Sequence, residues 1–302
     1  MTRISKPVQS PPPTLAPVIA TPEEAVAPFS AVQLRGMLIH NVTRTQTISH
    51  IISSASKGIG GWVVTPNLDI LRRFKNSVSF RNLVATSSLN VADGMPLVWA
   101  SRVKGQPLLE RVNGTDLMVG VCEAAAKSGN SVFLLGGNPG SAEKTAEKMM
   151  ADFAELKVAG CLCPEFGFES DLPAIEEIAE HLSVASPDIV FVGLGSPKQD
   201  VLINMLRLQF PHIWWLGVGV SFSFLADELI RAPEWAKKNG LEWLYRLFAE
   251  PRRLAKRYLL QGIPFFATTL LVSAYERVFG AEKKQPPTQN FEPVSDRQIL
   301  PE

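Results

Sequence analysis

Two stretches of this chain concentrate residues able to do chemistry. "VGLGSPKQD", residues 192–200, follows the apolar run Ile189-Val190-Phe191-Val192 with Gly193-x-Gly195 and then Lys198 and Gln199. Residues 90–116 carry Asp93-Gly94 in "NVADGMPLVWA", then Arg111, Asn113, Thr115 and Asp116 in "ERVNGTDL". Glycine at the end of an apolar strand lets a backbone approach a ligand closely, and N–H groups at the start of a following helix suit a phosphate. A carboxylate beside glycine at a cleft edge can take a proton as general base. Each feature also has a plainer reading. Glycines make tight strand-to-helix turns, Lys198 suits a solvated helix start, and Asp93 and Asp116 both suit helix caps. For Asp116, which follows Gly114-Thr115, capping is the expectation.

The elements that must position these residues alternate in type. Short apolar runs predict strands at Gly61–Thr65, Asn82–Thr86, Val132–Leu135, Lys157–Gly160, Ile189–Leu194 and Ile213–Val218. Amphipathic stretches between them predict helices at Leu68–Phe74, Thr115–Ala126, Ser141–Phe153, Leu172–Leu182 and Lys198–Leu208. Strand and helix alternating at this spacing imply βαβ units: a doubly wound α/β fold, its mainly parallel sheet covered by helices on both faces. Four strands end alike, in Thr65-Pro66-Asn67, Gly136-Gly137-Asn138, Gly195-Ser196-Pro197 and Gly219-Val220-Ser221, each followed by a helical pattern. Repetition at one sheet edge favours a ligand cleft over bare turns, because such sheets bind ligands beyond the carboxyl ends of their strands.

Several chemistries are excluded. Gly193-x-Gly195 continues with Lys198 where a dinucleotide fingerprint needs glycine, and the strand after Gly136-Gly137-x-x-Gly140 ends without the acidic residue that holds a ribose. No P-loop occurs, and Gly219-Val220-Ser221-Phe222-Ser223 lacks the last glycine of a nucleophile elbow. The chain has 302 residues with a formal net charge of +1, so nothing in its overall balance points to nucleic acid. Cys122, Cys161 and Cys163 form no pairable framework, which suits a reducing compartment, and His40, His50, His181 and His212 are scattered; no metal site is expected.

The termini differ from the middle. Residues 1–30 hold seven prolines with little apolar periodicity and read as a disordered leader, as residues 281–302 read as a disordered tail. A catalytic core is assigned to 31–230 and an appendage to 231–280. From Arg231 to Arg257 eight Lys/Arg face three Glu, with Trp235, Trp243, Tyr245 and Phe248 interleaved. Basic residues beside aromatics suit an anionic membrane surface. "YLLQGIPFFATTLLVSAY", residues 258–275, carries no charge, but Gln261, Gly262 and Pro264 interrupt it. Lying in the membrane interface is expected over spanning, with burial against another protomer also open.

The ordered series "VADGMPLVWA", "ERVNGTDLM", "FLLGGNPGSAEK", "PDIVFVGLGSPKQ", "GVGVSFSF", "RAPEW" and "GLEWLYRLFAEPRRLAKRY" resembles the WecG/TagA/CpsF glycosyltransferases, glycosyltransferase family 26. The resemblance implies an inverting enzyme that moves a sugar from a UDP-sugar to a polyprenyl-diphosphate-linked saccharide in bacterial cell-surface polysaccharide synthesis. The exopolysaccharide branch is the nearest in "DGMPLVWA". It implies no cofactor and no metal, with the membrane surface as a partner, a homo-oligomer as an open expectation, and a place on the cytoplasmic face of the inner membrane. The family's motif aspartate, proposed as general base, falls on Asp93; its threonine and asparagine fall on Thr65 and Asn67, and its glutamine on Gln199.

On that reading Gly136, Gly137, Gly193 and Gly195 bring backbone donors to the nucleotide, with Lys198 nearby. Arg111, Thr115 and Asp116 belong to the substrate site. Arg231, Arg246, Arg252, Arg253 and Arg257 of the appendage are candidates to bind substrate, the last four by clamping diphosphate oxygens. Two departures stand out. Asp93-Gly94-Met95-Pro96 replaces D-G-[ILV]-G, and Phe222-Ser223-Phe224 replaces the family's frequent F-D-F, with Asp227-Glu228 where glycine-lysine often precedes "RAP". The Ser223 departure keeps a second class open, a non-catalytic membrane-associated nucleotide-sugar-binding or scaffold protein on the same fold.

Overall fold

The computed structural model describes residues 28–280 except 234 and 237–239; nearly all of the leader and the whole tail lie outside the described residues. Six strands form one parallel sheet: β3 (Gly61–Val64), β4 (Leu89–Asn90), β5 (Ser131–Gly136), β6 (Lys157–Leu162), β7 (Ile189–Gly193) and β8 (Trp214–Gly217), in the order β4-β3-β8-β7-β5-β6. A preceding antiparallel hairpin, β1 (Ala31–Leu34) with β2 (Met37–His40), packs beside it.

The apolar runs are unbroken because the central strands are buried on both faces. Val190 and Val192 of β7 enter one core cluster and Ile189 and Phe191 the other. The first face is covered by α2 (Leu68–Asn76), α3 (Val78–Val84), α4 (Met95–Lys104), α7 (Leu172–Ala185) and α8 (Lys198–Leu206). The second is covered by α1 (Arg44–Ala55), α5 (Gly114–Ser128), α6 (Ser141–Asp152) and the short α9 (Ser221–Leu225). The doubly wound α/β fold is as the sequence predicts.

One strand is misplaced in that prediction. Residues 82–86 are no strand: 78–84 are α3, and the edge strand is Leu89–Asn90. Ser77 accepts the N–H of Phe80 as an N-cap, and Phe80 and Val84 are the buried pair, four residues apart as on a helix face. The apolar cluster Leu83-Val84-Ala85 was too short for its period to separate helix from strand.

Topology locates the cleft. From β5 the chain passes through α6 on one face to the edge strand β6; from β7 it passes through α8 on the opposite face to β8. The neighbours β5 and β7 therefore send their connections in opposite directions, and a crevice opens between their carboxyl ends. There the N–H of Gly137 donates to Gly193 O at 3.0 Å.

Beyond α9 the appendage returns to the core through helices Glu242–Ala249 and Pro251–Ala255, then a π-helical stretch, Lys256–Gly262, that runs into a terminal helix, Ile263–Phe279. The terminal helix lies along α4. Thr269 and Ser273 are buried beneath it, Phe266 meets Trp99 at 6.0 Å, and Glu276 pairs with Lys104 at 2.7 Å. Its outer side exposes Leu271, Tyr275, Val278 and Phe279.

Phe191 is fully buried at the centre of the sheet. Phe191→Ala is expected to lower unfolding free energy by about 3–5 kcal/mol in urea titration, through lost transfer energy and an unfilled cavity. A loss below about 1 kcal/mol would mean the two layers do not pack as described.

Candidate active site

The strand ends that form the cleft floor are tied together by side chains. Thr65, just past β3, is buried and its Oγ1 donates to Gly217 O at 3.1 Å. Gln199, in the first turn of α8, is buried too; its Oε1 accepts the N–H of Gly195 at 3.1 Å and of Gly219 at 3.0 Å. A side chain on Gly217 would collide with the Gln199 amide, so glycine there lets Gln199 lie across the end of β8. The ends of β3, β7 and β8 thus form one hydrogen-bonded ledge. Gly193 is required for a similar reason: a Cβ would stand 2.7 Å from the Phe222 ring.

On this ledge the two polar stretches of the sequence meet. The N–H of Asp93 donates to Pro66 O at 2.9 Å, which sets the Asp93 loop beside Asn67. Asn67 caps α2, its Oδ1 accepting the N–H groups of Asp69 and Ile70. Asn113 caps α5 through Oδ1, which accepts from Thr115 N at 3.0 Å and Asp116 N at 3.3 Å; its Nδ2 donates to Asp93 Oδ1 at 2.9 Å. Neither aspartate caps a helix. Gly94 is the N-cap residue of α4, and Asp116 pairs instead with Arg231 at 2.6 Å. The nearer amide of Asn113 satisfies the helix, which frees Asp116 for an ion pair.

Asp93 is partly accessible at the cleft floor, but protein crowds its carboxyl group. Desolvation, and then the charge of Glu242, push its pKa up to about 6, against the opposing pull of Arg111, Arg246 and the N–H of Gly114. Arg111 and Glu242 form a largely buried pair at 3.0 Å, joining the Asp93 region to the appendage. Arg246 lies over the Phe224 ring at 5.4 Å. Arg257 reaches back to Asp69, beside the Asn67 cap, at 3.1 Å.

The other predicted residues are less central. Thr115 Oγ1 meets Ser221 Oγ at 2.9 Å, a buried joint between α5 and the start of α9. Lys198 is paired with Glu169 and sits 4.6 Å from the centre of the Phe166 ring. Gly136, Gly137 and Gly195 all take left-handed backbone conformations in the turns at the crevice. Arg252 is exposed, and the side chain of Arg253 lies outside the described ones. Sequence reasoning missed Glu242 altogether, since a carboxylate 131 residues from Arg111 gives no local signal. Asn113 was visible in "ERVNGTDL", but only as part of a helix start.

Comparison with known proteins accords with this geometry. The model of the Glycosyl transferase WecG/TagA/CpsF family matches residues 32–278. The chain belongs to this family. It is similar to the N-acetylglucosaminyldiphosphoundecaprenol N-acetyl-beta-D-mannosaminyltransferase of Bacillus spizizenii, 28% identical over 228 residues that cover 75% of this chain and 85% of the relative. The protein is accordingly a glycosyltransferase, and the resemblance read from its motifs holds.

The strain on Asp93 in this glycosyltransferase has a measurable sign. A raised pKa means the folded state holds the proton more tightly than the unfolded chain, so stability falls as pH rises from about 3.8 to about 6 and is level above that. Asp93→Asn removes the ionisation while its amide oxygen still accepts from Asn113. It is expected to stabilise the protein by about 1–3 kcal/mol above pH 7, and by much less near pH 4, in urea titrations at both pH values. Asp200, likewise pushed up to about 6 by burial, is common to both proteins and cancels. An equal difference at both pH values would show that the carboxyl group is not desolvated.

Proposed function

We propose that this glycosyltransferase moves a sugar from a UDP-sugar to a polyprenyl-diphosphate-linked saccharide with inversion, using Asp93 as general base. The observation that carries this is Asp93 itself: a carboxylate oriented by Asn113, flanked by Arg111 and Arg246, at the carboxyl edge of the sheet. Inversion needs one in-line displacement. The acceptor hydroxyl gives its proton to Asp93, its oxygen bonds to the anomeric carbon, and the bond to the UDP oxygen breaks with the electron pair leaving on the diphosphate.

A carboxylate with a pKa near 6 is a stronger base than an ordinary one and remains ionised at neutral pH. The leaving diphosphate needs positive compensation. The left-handed turns at Gly136-Gly137 and Gly195 leave room for a ligand at the crevice, and on this reading Arg246 and Arg257 supply the charge from the appendage. Thr65 and Gln199 act on this reading as positioning residues, since both bind the ledge itself. The Bacillus relative, named for an acceptor sugar on undecaprenyl diphosphate, supports the same acceptor class.

The membrane surface is the proposed partner of the appendage. Residues 256–279 are long and apolar enough to cross a membrane by length and composition. The terminal helix instead packs its small polar side on α4, where Lys104–Glu276 would have to enter the bilayer if it spanned. Burying a charged pair in hydrocarbon is costly, whereas laying the outer apolar row into the interface is not. This keeps the enzyme peripheral, on the cytoplasmic face where activated donors are made.

Two measurements test these readings. Purified protein in detergent, given a short-chain polyprenyl-diphosphate-sugar and a panel of UDP-sugars, is expected to release UDP with one donor in an acceptor-dependent way. Asp93→Asn should lower that rate by about a hundredfold or more, and in the native enzyme kcat/KM should fall about tenfold per pH unit below 6. Undiminished release by the variant would remove Asp93 as the base. Separately, Leu271→Glu with Val278→Glu should weaken co-sedimentation with anionic vesicles by about tenfold or more without lowering the melting temperature. Unchanged vesicle binding would place the membrane contact elsewhere.

A further inference from the structure

Ser223 stands where the family motif often carries an aspartate, and the structure brings a different carboxylate to that place. Just past α9, Asp227 takes the left-handed conformation with φ 58°. The chain reverses there, and the N–H groups of Glu228 and Leu229 both return to Ser223 O, at 2.9 and 3.0 Å. This is the closed loop that a left-handed residue makes after a helix, and it lays Glu228 back against Ser223. The Glu228 carboxylate then meets the start of α6. Its Oε1 accepts from Ser141 Oγ at 2.6 Å and its Oε2 from Asn138 Nδ2 at 2.9 Å, while the same Asn138 Nδ2 lies 3.3 Å from Ser223 Oγ. Ser141, and then Asn138, hold the Glu228 pKa below the usual carboxylate range.

The cluster borders the crevice. Asn138 follows Gly136-Gly137 directly, and the Phe222 ring beside Ser223 is what a Cβ on Gly137 or Gly193 would strike. An ionised carboxylate offers about four acceptor sites, of which the protein uses two here, and Glu228 is exposed. It repels phosphate, so a bound diphosphate would sit farther along, toward Gly195 and Arg246. The group of a nucleotide adjoining the diphosphate is the ribose, whose vicinal hydroxyls are donors that an acceptor-only carboxylate complements; doubly wound folds commonly meet ribose with an acidic residue.

We propose that Glu228 recognises the ribose diol of the donor nucleotide, supplying from five residues downstream the carboxylate that position 223 lacks. The proposal deepens the UDP-sugar reading and rests on it. It also predicts that nucleotide recognition survives the Ser223 departure.

Calorimetry with UDP and with 2′-deoxy-UDP tests it on the full chain in detergent, for the native protein, Glu228→Gln, and Ser223→Asp combined with Glu228→Gln. Native protein is expected to favour UDP by about ten- to a hundredfold, the size of one lost charge-assisted hydrogen bond. Glu228→Gln should weaken UDP by more than it weakens 2′-deoxy-UDP, which keeps only the 3′-hydroxyl, so that the preference falls to near parity; the double variant should regain the preference. UDP lacks the transferred sugar, so a preference seen with it assigns the contact to ribose rather than to the donor hexose. A carboxylate that only braces α6 would weaken both nucleotides equally and lower the melting temperature, which overturns the proposal. So would a native-like preference in Glu228→Gln, or a double variant that stays indifferent. If native protein binds neither nucleotide, the UDP-sugar reading itself fails, and that result is distinct from every outcome above.

Discussion

One side chain carries constraints that the rest of the site depends on. Asn113 satisfies the orphan N–H groups at the start of α5 with its oxygen and presents its NH2 to Asp93. The same oxygen is 3.3 Å from Arg231 of the appendage. Helix start, carboxylate orientation and appendage docking are therefore settled together. An aspartate at 113 would cap the helix equally well but would set a second negative charge against Asp93. An alanine would lose the cap and the orientation at once.

The ledge beneath Asp93 follows the same logic with different groups. Parallel strands leave backbone groups unpaired at their carboxyl ends, and in a dry cleft floor those groups need partners. Thr65 supplies a donor to one and Gln199 an acceptor to two others. The residues that the family resemblance marks as functional are thus also the ones that close the hydrogen bonding of the sheet edge. Asp200, the next residue in α8, points the other way, into the core toward Arg73. Adjacent helical residues face different directions, so a single turn serves the cleft and the core.

The appendage docks by opposite charges spaced along it: Arg231 to Asp116, Glu242 to Arg111, Arg257 to Asp69 and Glu276 to Lys104. Two of these pairs use appendage arginines and two use its glutamates, so its excess of positive charge is left intact, with Arg252 exposed. Glu242 has a double effect. It neutralises Arg111 and raises the proton affinity of Asp93, so the electrostatics of that carboxyl group depend on where the appendage lies.

Much of this was legible in one dimension, and the rest could not have been. Buried parallel strands must be apolar throughout and must end in small or polar residues where the next helix begins, so the runs ending at Thr65, Gly136, Gly195 and Gly219 declared the fold class and the sheet edge at which the polar residues gather. Asp93, with its neighbouring glycine, was visible by residue type. The residues 82–86 were misassigned because three apolar positions fit both periods, and only their packing partners choose one. That Asn113 rather than Asp116 caps α5, that Glu242 faces Arg111, and that Glu228 folds onto Ser223 were decided by tertiary structure alone. Each depends on a distance between groups remote in sequence or on one left-handed residue, and local pattern carries no record of either. The sequence determined which chemical groups the protein has and on which kind of element; folding decided which of them meet.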